Sequence, residues 1–174
     1  MKVQIKLSGS LYIGIIRDLT RPHPFAAERV GFVFGRLGSL VDNNRLILLT
    51  RYHSIPDNQY VEDHTVCARI GSEALTWAMQ AVYHGRSGRE GIFHIHLHRF
   101  RGEPGMSAVD RREIPKLIPG FRSVGQEAAH GIIILSSDHG TAWVWPQGST
   151  EPVHVDCISI IGTPVSVFEH GRAK

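Results

Sequence analysis

The chain has 174 residues, 42% apolar and 20% charged, which fits one globular domain over residues 1–174 with a sizeable core. A net charge of +3 is too small to argue for a nucleic-acid partner, and no run approaches the ~18 consecutive apolar residues of a membrane span. Two distant cysteines, Cys67 and Cys157, make no CxxC and no disulfide framework, and the first residues lack the apolar block of a signal peptide, so a cytoplasmic location is expected.

Residues 3–7 alternate apolar and polar as a strand does. Ser8-Gly9-Ser10 then caps a helix carrying Leu11, Ile13, Ile15, Ile16 and Leu19, which Pro22 and Pro24 terminate. Residues 30–34 (VGFVF) form a continuous apolar run that reads as a buried strand, with Gly31 and Gly35 marking a bulge or a close backbone approach. Glu28 stands just before it, as either a solvated strand end or a placed acid–base group. A turn at 41–44 pairs this strand with a second at 45–52. Residues 60–70 are ambiguous, with strand character at 65–70. From Ser72 a helix presents Leu75, Ala78, Met79 and Val82 on one face and stops at Gly85; Trp77 and Met79 read as core.

The stretch GIFHIHLHRFRGEPGMSAVD, residues 91–110, is the one on which the chain turns. Three histidines at alternate positions, His94, His96 and His98, end an apolar strand, where residues i and i+2 share a face. A Gly/Pro-rich loop follows, and Ser107-Ala108-Val109-Asp110 reads as the start of a helix. Either piece alone is as readily a polar strand face or an ordinary capping box. Together they bring two imidazoles and a carboxylate to one point and leave a fourth position open, which suits catalytic zinc. Arg99, Arg101, Arg111 and Arg112 flank the stretch as a solvated rim or as receivers of an acidic partner.

Beyond Asp110 the helix is expected to be short, because Pro115 and Pro119 interrupt it, and residues 120–130 read as an irregular flap. Residues 132–135 and 142–145 are strands joined by a hairpin turn at 136–140, where Asp138 and His139 serve the turn. Residues 153–161 are a last strand with His154 and Asp156 on a polar face, and residues 169–174 a frayed tail. The fold class is α+β, a mixed central sheet flanked by helices.

With Glu28 ahead of a glycine-containing strand, His96-Leu97-His98 and Ser107-Ala108-Val109-Asp110, the chain resembles the JAB/MPN (JAMM) zinc metalloprotease family over nearly its whole length. The resemblance implies a three-layer α/β fold of the kind also seen in cytidine deaminases. It implies one Zn2+ held by His96, His98 and Asp110 with water in the fourth position, Glu28 as the general base and Ser107 as the oxyanion donor. Eight residues (99–106) separate His98 from Ser107, one more than the family's usual spacing, so His94 and His96 stand as the alternative ligand pair. The proline that often follows the second histidine in eukaryotic members is missing, and residues 98–104 (HRFRGEP) look more like bacterial members. The implied activity is a zinc-dependent isopeptidase or peptidase acting on a ubiquitin-like protein or its conjugate, with the activating and conjugating enzymes of that pathway as further partners. A non-catalytic scaffold and a hydrolase trimming a sulfur-carrier protein are the alternatives.

Overall fold

A computed structural model describes residues 2–22, 27–39, 44–61 and 68–171. The elements follow the chain as β1 (Val3–Ser8), α1 (Gly9–Leu19), β2 (Val30–Ser39), β3 (Arg45–Ser54), α2 (Ser72–Gly85), β4 (Glu90–Leu97) and α3 (Ala108–Val124). Then come β5 (His130–Leu135), β6 (Gly140–Trp145), β7 (Val153–His154), β8 (Cys157–Ile161) and β9 (Ser166–Glu169). The result is a mixed α/β architecture. The strands form one nine-stranded mixed sheet in the order β7-β6-β5-β4-β2-β3-β1-β8-β9. None of the helices among the described residues is long and apolar enough to cross a membrane.

Period-two alternation sorts the side chains of the central strands. In β4, Phe93, Ile95 and Leu97 join the core that buries Ile15 and Leu19 of α1, while Ile92 faces the core shared with α2 and α3. The histidine row has the parity of Ile92, so it looks toward α3. The sheet curls enough for its two ends to approach. Val155 N–H donates to Ala142 O (2.9 Å) beside β6, and Asp156 N–H donates to Val3 O (2.8 Å) beside β1, so the β7–β8 link bridges the curl.

Local chemistry explains most boundaries. Ser8 caps α1 by accepting from Leu11 N–H (3.2 Å). Gly31 and Gly35 of β2 serve the two purposes expected of them. A Cβ at Gly31 would collide with the Tyr52 ring, and the register with β3 shifts between Phe34 and Gly35. The turn expected at 41–44 lies, but for Asn44, outside the described residues, as does most of the segment 60–70; Tyr60 and Ile70 close it with an antiparallel bridge.

Four expectations need correction. Helix α3 is not short: it runs 17 residues straight through Pro115 and Pro119. The prolines are four apart and both exposed, so the carbonyls they leave unpaired lie on the solvent side, where water serves them. The opposite stripe, Asp110, Ile114, Ile118 and Phe121, is buried and holds the helix on the sheet. Residues 120–130 are not a flap. They complete α3 and lead directly into β5, where buried His130 accepts from Ile92 N–H at Nδ1 (3.3 Å) and reaches Gly125 O through Nε2 (2.9 Å). The strand expected at 153–161 is broken in two by the crossing of the curl, and β9 follows it. The tail is not frayed from 169: Glu169 ends β9 and His170 N–H donates to Asp156 O (3.1 Å), while 172–174 lie outside the described residues.

Two glycine substitutions test this packing in opposite directions. A Cβ at Gly91 would run into the Ala129 carbonyl oxygen, backbone that has no rotamer by which to yield, whereas exposed Gly14 in α1 has nothing within 4 Å. Gly91→Ala is expected to cost at least ~2 kcal/mol in urea unfolding, and Gly14→Ala to gain up to ~1 kcal/mol. A neutral Gly91→Ala would mean that β4 and β5 are not packed as described.

Candidate metal centre

The antiparallel register of β2 and β4 pairs Val30 with His96. Carried two residues further, it brings Glu28 level with His98. His98 sits just past the end of β4, fixed by its N–H to Leu135 O (2.8 Å). Behind Glu28 the chain is held by Arg29, whose side chain is buried. Its guanidinium meets Asp57 Oδ1 (2.7 Å), Arg21 O (3.0 Å) and Pro22 O (2.7 Å). Tyr60 adds a clamp, its hydroxyl 3.0 Å from both the N–H and the carbonyl of Val30. Sequence reasoning passed over both residues. An arginine at the entry of an apolar strand carries no local signal that it will be buried, since its partners lie in other segments.

Asp110 arrives from the other side. Ser107 caps α3, its Oγ accepting from Asp110 N–H (3.1 Å), while Ser107 N–H donates to Asp110 Oδ2 (2.8 Å). This capping box fixes the carboxylate as well as the helix. Asp110 Oδ1 then lies 3.5 Å from His96 Nε2 and Oδ2 3.9 Å from His98 Nε2, with the two Nε2 atoms 3.1 Å apart. A tetrahedral ion with ligands at ~2.0–2.1 Å spaces its donors ~3.3 Å apart. The two imidazoles match that spacing, while Asp110 meets them through different oxygens, at 3.5 and 3.9 Å, and stands outside the group whose ligand atoms are all mutually close. Glu28 faces the same imidazole pair: it, His96 and His98 each bring a ligand atom within 4.8 Å of the others.

The two carboxylates are driven in opposite directions. Burial raises the Glu28 carboxyl above its ordinary value, aided by the Asp110 charge and opposed by His96 and Arg99. Burial works the same way on Asp110, but hydrogen bonding and charge from His96, with the donors of Ser107, outweigh it and hold that group well below the usual carboxylate range. His98 is lowered by burial and by His96.

His94 is not among the grouped ligand atoms. Its ring packs edge-on to Phe32 (6.2 Å) and against His96 (5.5 Å), its Nδ1 is buried, and its pKa is pushed down to about 3 by burial first and His96 second. It is uncharged packing beneath His96. The Nδ1 of His96 is likewise buried without a partner among the described residues, a departure from the outer support that ligand imidazoles usually have.

These groups line a cleft of about 740 Å3, floored by Val30 and Ile114 and edged by Arg99 and Lys116. Of the other flanking arginines, Arg101 pairs with Asp138, Arg111 caps the Met106 carbonyl and Arg112 pairs with Glu113, all at the surface.

No family model matches the chain, and no curated protein matches it. Among solved structures, the Trichoplax adhaerens STIL N-terminal domain is similar at 10% identity and a TM-score of 0.39. That similarity covers 80% of this chain and 40% of that one, and a likeness so distant transfers neither fold nor function.

The tuning of Glu28 has a measurable sign. A carboxyl raised by folding contributes stability below its unfolded pKa, and that contribution is lost as pH rises through the folded value. Glu28→Gln, which removes the buried charge, is therefore expected to raise the Tm of the metal-free chain at neutral pH and to leave it unchanged well below the carboxylate range. A Tm difference that is the same at both pH values would show that Glu28 is not tuned by burial.

Proposed function

We propose that this chain is a zinc-dependent isopeptidase or peptidase of the JAB/MPN type, with that family's three-layer fold, cleaving after the C-terminal tail of a ubiquitin-like protein. The observation that carries the reading is geometric: the carboxylates of Glu28 and Asp110 meet at the two Nε2 atoms of His96 and His98, which lie 3.1 Å apart. Burial raises the first carboxyl, and His96 and Ser107 lower the second. Two carboxyl groups pushed apart in this way divide the labour of hydrolysis, one remaining ionised as a ligand and the other poised to take and return a proton.

His96, His98 and Asp110 would hold the ion. Zinc bound there supplies Lewis acidity that lowers the pKa of a water from ~15.7 toward ~7. Glu28, raised by burial and held in place by Arg29, accepts the proton of the attacking water at a carboxylate oxygen and returns it to the departing amine. Ser107 Oγ already accepts from Asp110 N–H, which leaves its own proton to donate to the oxyanion of the tetrahedral centre. The cleft is of a size to receive an extended chain end, with Arg99 at its edge, while Lys116 is held there by Glu113 at 3.0 Å.

Metal analysis beside cleavage of a ubiquitin-like substrate with a C-terminal extension tests the reading. His96→Ala, His98→Ala and Asp110→Ala are each expected to hold one zinc fewer than the wild type and to lose cleavage. Glu28→Gln should retain the metal and lower kcat by ~10²–10⁴-fold. Full cleavage by folded Glu28→Gln would remove Glu28 from the mechanism, and full zinc occupancy in Asp110→Ala would remove the proposed site.

A further inference from the structure

Away from that cleft, where the ends of the sheet meet across the curl, three side chains from distant parts of the sequence converge. Glu103 lies in the loop between β4 and α3, His154 ends β7, and His170 follows β9. Each brings one ligand atom within 4.8 Å of the others. The two imidazole rings lie 3.5 Å apart at their centroids, and His170 Nδ1 is in direct contact with the Glu103 carboxylate.

The state of His154 is what distinguishes this cluster from a surface ion pair. Its Nδ1 lies 2.9 Å from Val155 O, an acceptor, so Nδ1 carries the ring proton and Nε2 holds a lone pair. That Nε2 is buried and has no hydrogen-bond partner among the described residues. Trp143 stands edge-on against the ring at 4.8 Å, closing off rotation on that side. A buried nitrogen with a lone pair and nothing to bond is costly in a folded protein. An imidazole whose other nitrogen donates to a backbone carbonyl has the arrangement that metal-binding histidines use. Two imidazoles and one carboxylate, partly open to solvent, form a donor set for a divalent first-row ion such as zinc, with positions left for water.

We propose that Glu103, His154 and His170 form a metal site of their own, structural in role, that takes a divalent transition-metal ion and pins the two ends of the curled sheet together. Its chemistry does not depend on the reading of the His96–His98–Asp110 centre. It does touch the same stretch of chain. Glu103 belongs to the segment 99–106 that carries the chain from His98 to Ser107. That loop is otherwise held by Gly102 N–H to Asp138 (2.7 Å), Ser136 Oγ–H to Gly102 O (2.6 Å) and Thr141 Oγ1–H to Pro104 O (2.7 Å). An ion on Glu103 adds a tether from this loop to β7 and to the chain after β9.

The test is calorimetric titration with Zn2+ of a tag-free, metal-stripped His96→Ala/His98→Ala chain, with circular dichroism and a thermal melt to establish folding. One equivalent is expected to bind and to raise the Tm. Adding His170→Ala, a half-exposed position tolerant of truncation, should abolish that uptake, and Glu103→Gln should weaken it at least tenfold. Should the double variant fail to fold, the wild type replaces it, with two equivalents expected and one after His170→Ala. No uptake by a folded His96→Ala/His98→Ala chain, or uptake unchanged by His170→Ala, overturns the proposal. A wild type that binds one equivalent, lost with His170→Ala and kept with His96→Ala, would support this site and count against the other.

Discussion

The pairing register of β2 with β4 is the constraint on which the cleft depends. With Val30 opposite His96, the residue at the mouth of β2 reaches the level of the last histidine of β4. A slip of one residue would send every side chain of either strand to the opposite face. The apolar sets on both faces forbid such a slip, because Phe32, Phe34 and Ile92 are required by the core under α2 and α3 and Val33, Phe93 and Ile95 by the other. The position of one acidic side chain is thus enforced by burial of aromatic and branched residues. Arg29 and Tyr60 finish what the register starts, since Glu28 lies beyond the last paired residue.

The second anchor is the start of α3. A capping box ordinarily satisfies two orphan donors of a helix. Here its carboxylate also faces a pair of imidazoles, so helix initiation and the geometry of Asp110 are one interaction. The length of α3 supports it: the buried stripe from Asp110 to Phe121 gives the first turn a rigid body to start from. Two exposed prolines are compatible with that, since the helix is held by what it buries.

Local patterns made much of this legible. The alternation His94, His96, His98 specifies one face of a strand, the spacing Ser107 to Asp110 specifies a cap, and the hairpin of β5 and β6 follows from its turn residues. The rest depended on which face a residue would present after folding. Pro115 and Pro119 break a helix only where their unsatisfied carbonyls are buried, and exposure is a tertiary property. The break between β7 and β8 exists because the chain must cross from one end of the sheet to the other, which no window of residues encodes. The trio of Glu103, His154 and His170 was hidden because its members meet only through the curl, and Arg29 because its partners, Arg21 O, Pro22 O and Asp57, come from segments outside the strand it leads into.

The sheet order also determines how this chain meets other polypeptides. Its longest strands, β2 and β3 at ten residues each, are interior and paired on both sides. The outermost strands are β7, two residues long, and β9, four. A long bare edge is a template on which a second chain can lay a strand and begin an aggregate. By placing its shortest strands at the borders and turning those borders toward each other, this sheet presents no long outermost strand among the described residues.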